Sequence, residues 1–212
     1  MKHRVLYYMV DGSTEAGQAV LDTIEGGDQI ELVGCAHEPN VCPTAEQLIG
    51  CEGFVGEFGP VDDVCADAMA AAGMRIVSNM SIGLNHVAVD RLASHGITVT
   101  NCPGYCSDDV AQHTVALMLD LMRQVTLLNR GVRDGAWNPL AGYTMHRTQG
   151  RTLGLVFFGS IARAVVPIAK ALGMRVLVWA PTKSAEELAA AGCVKTQTLD
   201  ELLGASDIVS LH

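Results

Sequence analysis

Residues 151–181 constrain the fold of this chain more than any other stretch, and they read RTLGLVFFGSIARAVVPIAKALGMRVLVWAP. An apolar run at 153–158 leads into Gly159, and apolar residues then recur at helical spacing until Gly173. A second apolar run follows at 176–179. The pattern predicts a strand, a tight turn, a helix and a second strand, which together form a βαβ unit. Because the first N–H groups of such a helix favour an anion, the stretch predicts a dinucleotide site.

The composition excludes several classes of protein. Of the 212 residues, 49% are hydrophobic and 17% are charged, so we expect a globular chain with a sizeable core. The formal net charge of −9 argues against a nucleic acid or an anionic membrane surface as partner. No apolar run approaches the roughly 18 residues of a membrane span. The N-terminal apolar run is short and ends at Asp11, so it predicts a first strand and not a signal peptide.

The cysteine content favours a reducing compartment. The chain has seven cysteines, an odd number, and it is apolar enough to fold without disulfides. We therefore expect free thiols and a cytoplasmic location. Cys102 and Cys106 are spaced like metal ligands, but no second pair or nearby histidine completes a set, so no metal site is predicted.

Residues 1–102 predict one α/β domain. Strand-like runs alternate with helical patterns, and they lie at 4–9, 29–35, 53–58, 75–80 and 96–101. The first helix is expected to begin after Ser13 and to reach about Glu25, with an alanine-rich helix later at 62–72. Alternation of this kind predicts a parallel sheet covered by helices on both faces. The Pro/Gly-containing residues 101–107 predict a hinge to a second domain.

Residues 103–212 predict a second α/β domain. It begins with one long helix, capped by Asp108 or Asp109 and continuing to about residue 135. This helix is so broadly apolar that we expect it to lie between domains or in a subunit interface. An irregular arm at 135–150 precedes the βαβ unit, and the chain ends on a predicted strand at 207–211.

The chain resembles the D-isomer-specific 2-hydroxyacid dehydrogenases, the family that includes phosphoglycerate dehydrogenase. The matching stretches follow the family in order and spacing over essentially the whole chain, and they are 81–105, 109–123, 130–138, the βαβ unit and 199–212. The resemblance implies a flavodoxin-like substrate domain at 1–102. It also implies that 103–212 form the first half of a Rossmann doubly wound parallel sheet. The implied function is an NAD(P)-dependent oxidoreductase that transfers hydride between nicotinamide and a small 2-hydroxy or 2-keto acid.

The resemblance also implies site residues. The backbone amides of Ile82 and Gly83 would receive the substrate carboxylate, although the same loop also fits an ordinary strand-to-helix turn. The residues implied to contact NAD or NADP are Thr114, Gly159, Ser160, Ile161, Pro181, Thr182, Lys183 and His212. We assign no catalytic role to His86 or His113, since a lone histidine is more often structural. A homodimer through residues 108–148 is implied as well.

Two residues depart from the family pattern at the cofactor site. Phe157 stands where the fingerprint has its first glycine, so the turn there is either strained or follows another backbone path. Ala180 stands where the family has an acidic residue for the adenosine ribose. Thr182, Lys183 and Ser184 follow it directly and would suit a 2′-phosphate, so both NAD and NADP remain open.

The third departure concerns catalysis. The family's catalytic Arg, Glu and His belong to segments that follow the strand at 207–211, so no catalytic residue is assigned. We therefore expect a C-terminally truncated member with weak or no turnover as this chain. The alternatives are a non-catalytic dinucleotide-binding or assembly protein with a decayed cofactor site, or a partner that completes its sheet with another subunit.

Overall fold

The computed structural model describes residues 2–57, 59–137 and 145–212. The chain divides into two compact units, Met1–Tyr105 and Cys106–His212. Each unit contains a parallel sheet covered by helices, so the predicted α/β class is confirmed. No helix in the described ranges is long and apolar enough to cross a membrane.

The first unit contains a five-stranded sheet. Its strands are β1 (His3–Met9), β2 (Ile30–Ala36), β3 (Gly53–Gly56), β4 (Ile76–Asn79) and β5 (Thr98–Thr100). Its helices are α1 (Glu15–Leu21), α2 (Ala45–Leu48), α3 (Asp63–Ala71) and α4 (Val89–Ser94), with a short 3₁₀ turn at Gly27–Gln29. The spatial order is β2-β1-β3-β4-β5, and every pairing is parallel.

Successive side chains along the strands of the first unit point to opposite faces of the sheet. Leu6, Phe54 and Val77 pack with buried residues of α2, α3 and α4 into one core cluster. On the opposite face, α1 lies so close that a Cβ at Gly17 would collide with Tyr7 and Leu32. The first helix ends at Leu21, earlier than the sequence indicated.

The second unit contains a four-stranded sheet. Its strands are β6 (Thr152–Val156), β7 (Arg175–Trp179), β8 (Val194–Lys195) and β9 (Ile208–Leu211). Its helices are α5 (Ser107–Arg123), α6 (Val125–Arg133), α7 (Ser160–Ala171), α8 (Ala185–Ala190) and α9 (Leu199–Ala205). The order is β8-β7-β6-β9 with parallel pairing throughout, so β9 lies at one edge of the described sheet.

The two faces of this second sheet are covered by different helices. Leu153 and Leu155 of β6 belong to a core cluster that also includes buried residues of α5, α7 and α8. On the other face, Val156 and Leu177 pack with Leu202 of α9. Strands buried on both faces explain why the sequence shows continuous apolar runs here.

The prediction of one long helix at 108–135 is wrong. The helix breaks at Gln124, which adopts the left-handed conformation with φ of 56°. The Asp120 carboxylate accepts a hydrogen bond from the Thr126 N–H at 2.7 Å, and so satisfies a donor at the start of α6. The expected Asp108 or Asp109 cap is also wrong, because α5 begins at Ser107 and both acids lie in its first turn. Part of the predicted arm, residues 138–144, lies outside the described residues.

Candidate functional site

The carboxyl edge of the second sheet brings three predicted site segments together. Since β6 pairs in parallel with both β7 and β9, the residues that follow these three strands meet at one edge. The helix after β6 covers one face and α9 covers the other. A crevice outside the carboxyl ends of parallel strands, where the connections change face, is where open α/β sheets bind ligands.

Gly159 leaves open space at the start of α7. It is the N-cap residue of that helix, in extended conformation, and no side chain caps the helix start. A Cβ built on Gly159 would meet no atom within 4 Å. The first N–H groups of α7, which include those of Ser160 and Ile161, are the donors that a helix N-terminus offers to an anion.

The sequence allowed either a strained turn at Phe157 or a different backbone path, and the structure shows the strained turn. Its φ is +71°, a region that suits glycine and that costs an L-residue about 1–2 kcal/mol. Two contacts hold it there: its N–H donates to the Trp179 carbonyl at 2.8 Å, and its ring lies 5.5 Å from the Trp179 ring. The side chain remains 49% exposed. The backbone therefore keeps the tight turn of the fingerprint despite the substitution.

The turn after β7 lacks a carboxylate at the position where the family has one. Ala180 is buried at 2% exposure, so no side chain reaches out from that position. Ser184 caps α8 by accepting the Glu187 N–H at 3.1 Å. Lys183 Nζ lies 3.1 Å from Glu187 Oε1, so its charge is already paired within the turn.

His212 provides a polar atom that is ready for a ligand at the same edge. Its backbone N–H donates to the Val156 carbonyl at 3.2 Å, which extends the β6–β9 pairing by one residue. Its Nε2 atom is buried and has no hydrogen-bond partner among the described residues. Burial lowers the pKa of this imidazole, so it is neutral at physiological pH. An orphaned buried nitrogen beside an open glycine turn fits a bound dinucleotide.

Helix α5 approaches the glycine turn at its own beginning. Ser107 Oγ donates to Ser160 Oγ at 3.1 Å, and α5 packs along α7 in the core of the unit. Thr114 lies about two turns further along α5, where its hydroxyl donates to the Val110 carbonyl at 2.8 Å. That hydroxyl keeps an acceptor position available to a ligand.

The predicted carboxylate loop lies after β4 in the first unit. Side chains hold both of its carbonyls: Asn101 donates to the Ile82 oxygen at 2.7 Å, and Ser81 donates to the Gly83 oxygen at 2.7 Å. Neither the Ile82 nor the Gly83 N–H has a hydrogen-bond partner in the described part of the chain. A Cβ on Gly83 would meet nothing within 4 Å. Two unpartnered amides in an open, braced loop suit a carboxylate.

Asn79 is a functional candidate that sequence reasoning missed. It is 2% exposed at the end of β4, and its Nδ2 donates to the Gly83 carbonyl at 3.1 Å. His86 Nε2 lies 3.3 Å from the Asn79 Oδ1 atom, which agrees with a structural role for that histidine. An asparagine at the end of a predicted strand, directly before a glycine loop, is the signal that could have pointed to this brace.

The architecture defines the class: this is an α/β protein whose second unit carries a Rossmann-type parallel sheet. The family model described as "D-isomer specific 2-hydroxyacid dehydrogenase, NAD binding domain" matches residues 115–212. The chain belongs to the D-isomer-specific 2-hydroxyacid dehydrogenase family.

Relatives and solved structures agree with this assignment. A glyoxylate reductase of Korarchaeum cryptofilum is 33% identical over 199 residues, which cover 91% of this chain and 58% of that protein. A hydroxypyruvate reductase of Thermotoga maritima is 33% identical over 150 residues, covering 70% of this chain and 47% of that protein. The crystal structure of D-lactate dehydrogenase from Aquifex aeolicus complexed with NAD and lactic acid superposes with a TM-score of 0.81 at 25% identity, over 98% of this chain and 60% of that one. This chain thus spans about half to three-fifths of the length of these proteins.

Proposed function

We propose that this chain binds NAD in its second unit and a small 2-keto or 2-hydroxy acid in its first unit, as an oxidoreductase of the D-2-hydroxyacid dehydrogenase type. The observation that carries the proposal is the edge of the second sheet. There, an uncapped helix start with open space at Gly159 lies at the same strand ends as the orphaned Nε2 of His212. Both features leave polar groups without partners where a dinucleotide would satisfy them.

Each residue at this edge has a proposed role toward the dinucleotide. Ser160 and Ile161 offer N–H groups to the pyrophosphate, and Gly159 lets the backbone approach it closely. Pro181, Thr182 and Lys183 border the adenosine ribose, while His212 and Thr114 line the nicotinamide side. The bound cofactor would supply or accept a hydride. The residues of this chain bind it and orient it.

The proposed substrate site uses backbone donors and no charged side chain. The free amides of Ile82 and Gly83 would hold the acid's carboxylate, and Asn79 would fix the loop by bonding the Gly83 carbonyl. A site of this kind selects for a carboxylate and for little else. The relatives named for glyoxylate and hydroxypyruvate support a small acid as substrate.

Turnover by these 212 residues is proposed to be weak. The resemblance maps no residue of this chain onto the family's catalytic Arg, Glu and His, so we assign no residue the role of polarising the carbonyl or delivering the proton. The test is oxidation of NADH and NADPH by the purified chain with a panel of 2-keto acids. Binding without turnover supports the proposal, and robust turnover would show that other residues of this chain provide the acid–base chemistry.

A second candidate is a non-catalytic protein with a decayed cofactor site, which Phe157 and Ala180 favour. Phe157 introduces a strained, half-exposed ring at the turn, and Ala180 removes the ribose acceptor. Calorimetric titration with NAD and NADP separates the two candidates. Micromolar binding of either nucleotide supports a working site, whereas no heat of binding for both supports decay.

We further propose a homodimer formed through residues 108–148 and a cytoplasmic location. Several apolar side chains among the described residues of this segment are exposed, including Leu117 at 54%, Leu121 at 71% and Val125 at 59%. Light scattering coupled to size-exclusion chromatography tests the dimer, and Leu121→Glu should convert it to a monomer. Cell fractionation tests the location.

A further inference from the structure

A compact group of charges surrounds the turn after β7. The Glu187 Oε1 atom lies 3.1 Å from Lys183 Nζ and also accepts a hydrogen bond from the Arg163 guanidinium. Lys195 Nζ, from β8, donates to the Lys183 carbonyl at 2.5 Å, which places a third cation beside this turn. Glu187 is thus shared by two cations that lie 20 residues apart in the sequence.

These charges connect the two turns that border the proposed nucleotide. Arg163 lies in the first turn of α7, where its backbone N–H donates to the Gly159 carbonyl at 3.1 Å. Its guanidinium lies 4.7 Å from the ring centroid of buried Phe158, which fixes the side chain in place. Lys183 lies in the turn after β7, and Glu187 lies in the first turn of α8, which follows that turn. The ribose end of a dinucleotide bound at Gly159 would lie beside this group.

We propose that Glu187 determines the choice of dinucleotide by holding Lys183 and Arg163 and thereby excluding a 2′-phosphate. The inference rests on the proposed binding of a dinucleotide at this edge. Without Glu187, the two cations would be available to the extra phosphate of NADP. With Glu187, both side chains are engaged by its carboxylate, and that negative charge would oppose a 2′-phosphate.

The electrostatic environment supports this role. Hydrogen bonds from Lys183, and to a lesser extent from Arg163, lower the pKa of Glu187, so its carboxylate is charged at neutral pH. Ala180 offers no competing carboxylate, since it is buried and apolar. The side chains of Lys183 and Glu187 are 32% and 37% exposed, so a ligand phosphate could reach them. Selection would therefore come from repulsion at Glu187 and not from an acceptor at position 180.

The matched pair of variants is Glu187→Gln and Glu186→Gln. Both remove one negative charge from the first turn of α8, but only Glu187 contacts Lys183 and Arg163. The cap of α8 uses the backbone N–H of Glu187, so Glu187→Gln leaves the cap intact. Calorimetry on the full 212-residue chain measures the affinities for NAD, NADP, 5′-AMP and 2′,5′-ADP.

Glu187→Gln is expected to bind NADP and 2′,5′-ADP at least about tenfold more tightly than the wild type, with NAD changed by less than about threefold. Glu186→Gln should change the ratio of the two affinities by less than about threefold. Adding Lys183→Met to Glu187→Gln should remove most of the gain. The gain should also shrink as salt is raised.

Three results would overturn the inference. If NAD binds and Glu187→Gln leaves the NADP to NAD ratio unchanged, the role of Glu187 is wrong while the proposed function stands. If Glu187→Gln loses NAD affinity without gaining NADP, the carboxylate is an acceptor for the ribose instead. If the wild type and the variants bind none of the four nucleotides, the inference and the proposed function fail together.

Discussion

Replacing Phe157 with glycine tests the turn on which the cofactor site depends. Phe157 has φ of +71°, and its ring contacts Trp179 with a centroid distance of 5.5 Å. Phe157→Gly relieves about 1–2 kcal/mol of backbone strain. It loses a ring contact worth about 0.5–1.5 kcal/mol and adds about 0.5–1 kcal/mol of unfolded-state entropy. We therefore expect the free energy of unfolding to change by less than about 1 kcal/mol.

Phe157→Ala is the control that separates strain from packing. Alanine loses the same ring contact but keeps the positive φ, so we expect it to be less stable than glycine by about 1 kcal/mol. The assay is urea unfolding followed by the fluorescence of Trp179, in a background where the 85% exposed Trp137 is replaced by phenylalanine. If alanine is as stable as glycine, Phe157 is not strained and the turn follows another backbone path in solution.

The same glycine variant should bind NAD more tightly. It removes a half-exposed ring from the entrance to the glycine turn and restores the first glycine of the fingerprint. A gain of about tenfold corresponds to about 1.4 kcal/mol. Calorimetry measures it, and an unchanged affinity would mean that the ring does not obstruct the nucleotide.

Two further substitutions test the packing and the charges of the separate units. Gly154→Ala should destabilise the second unit by about 1–3 kcal/mol in urea unfolding, because its Cβ would collide with Ser206 and lie 2.8 Å from Leu202. The control is Gly204→Ala in α9, whose Cβ meets nothing within 4 Å, and it should not destabilise the unit. In the first unit, hydrogen bonds from Arg91 and then His95 lower the pKa of Asp67 from 3.8 to about 2. The stability that Asp67 contributes is therefore complete above its unfolded pKa and is lost as pH falls through about 2, so the melting temperatures of wild type and Asp67→Asn should converge on acidification and stay apart at neutral pH.

The sequence predicted the parallel sheets because strands buried on both faces produce continuous apolar runs separated by helical patterns. The glycine turn at Gly159 could be identified for the same reason, since it follows such a run directly. At Phe157 the residue type left two backbone paths open. Only the structure, with the carbonyl of Trp179 accepting the Phe157 N–H, selects the strained one.

Features that depend on particular side-chain contacts were not predicted from the sequence. No glycine or proline marks the helix break at Gln124 in the sequence. The break is accompanied by a hydrogen bond from the Thr126 N–H to the carboxylate of Asp120, four residues before Gln124. Arg163 of α7 pairs with Glu187 of α8, which lies 24 residues further along the chain. The i,i+4 spacing of Lys183 and Glu187 is a local signal for the pairing of this lysine, which is otherwise a natural candidate for binding a phosphate.

Calorimetric titration of the purified chain with NAD tests the dinucleotide site most directly. Gly159→Val is the matched variant, because a Cβ at this position meets nothing within 4 Å, and its urea unfolding curve should show that the variant is folded. We expect saturable binding of one NAD per chain, lost in Gly159→Val. Absence of NAD binding, or equal binding by both proteins, would contradict a dinucleotide site at the start of α7.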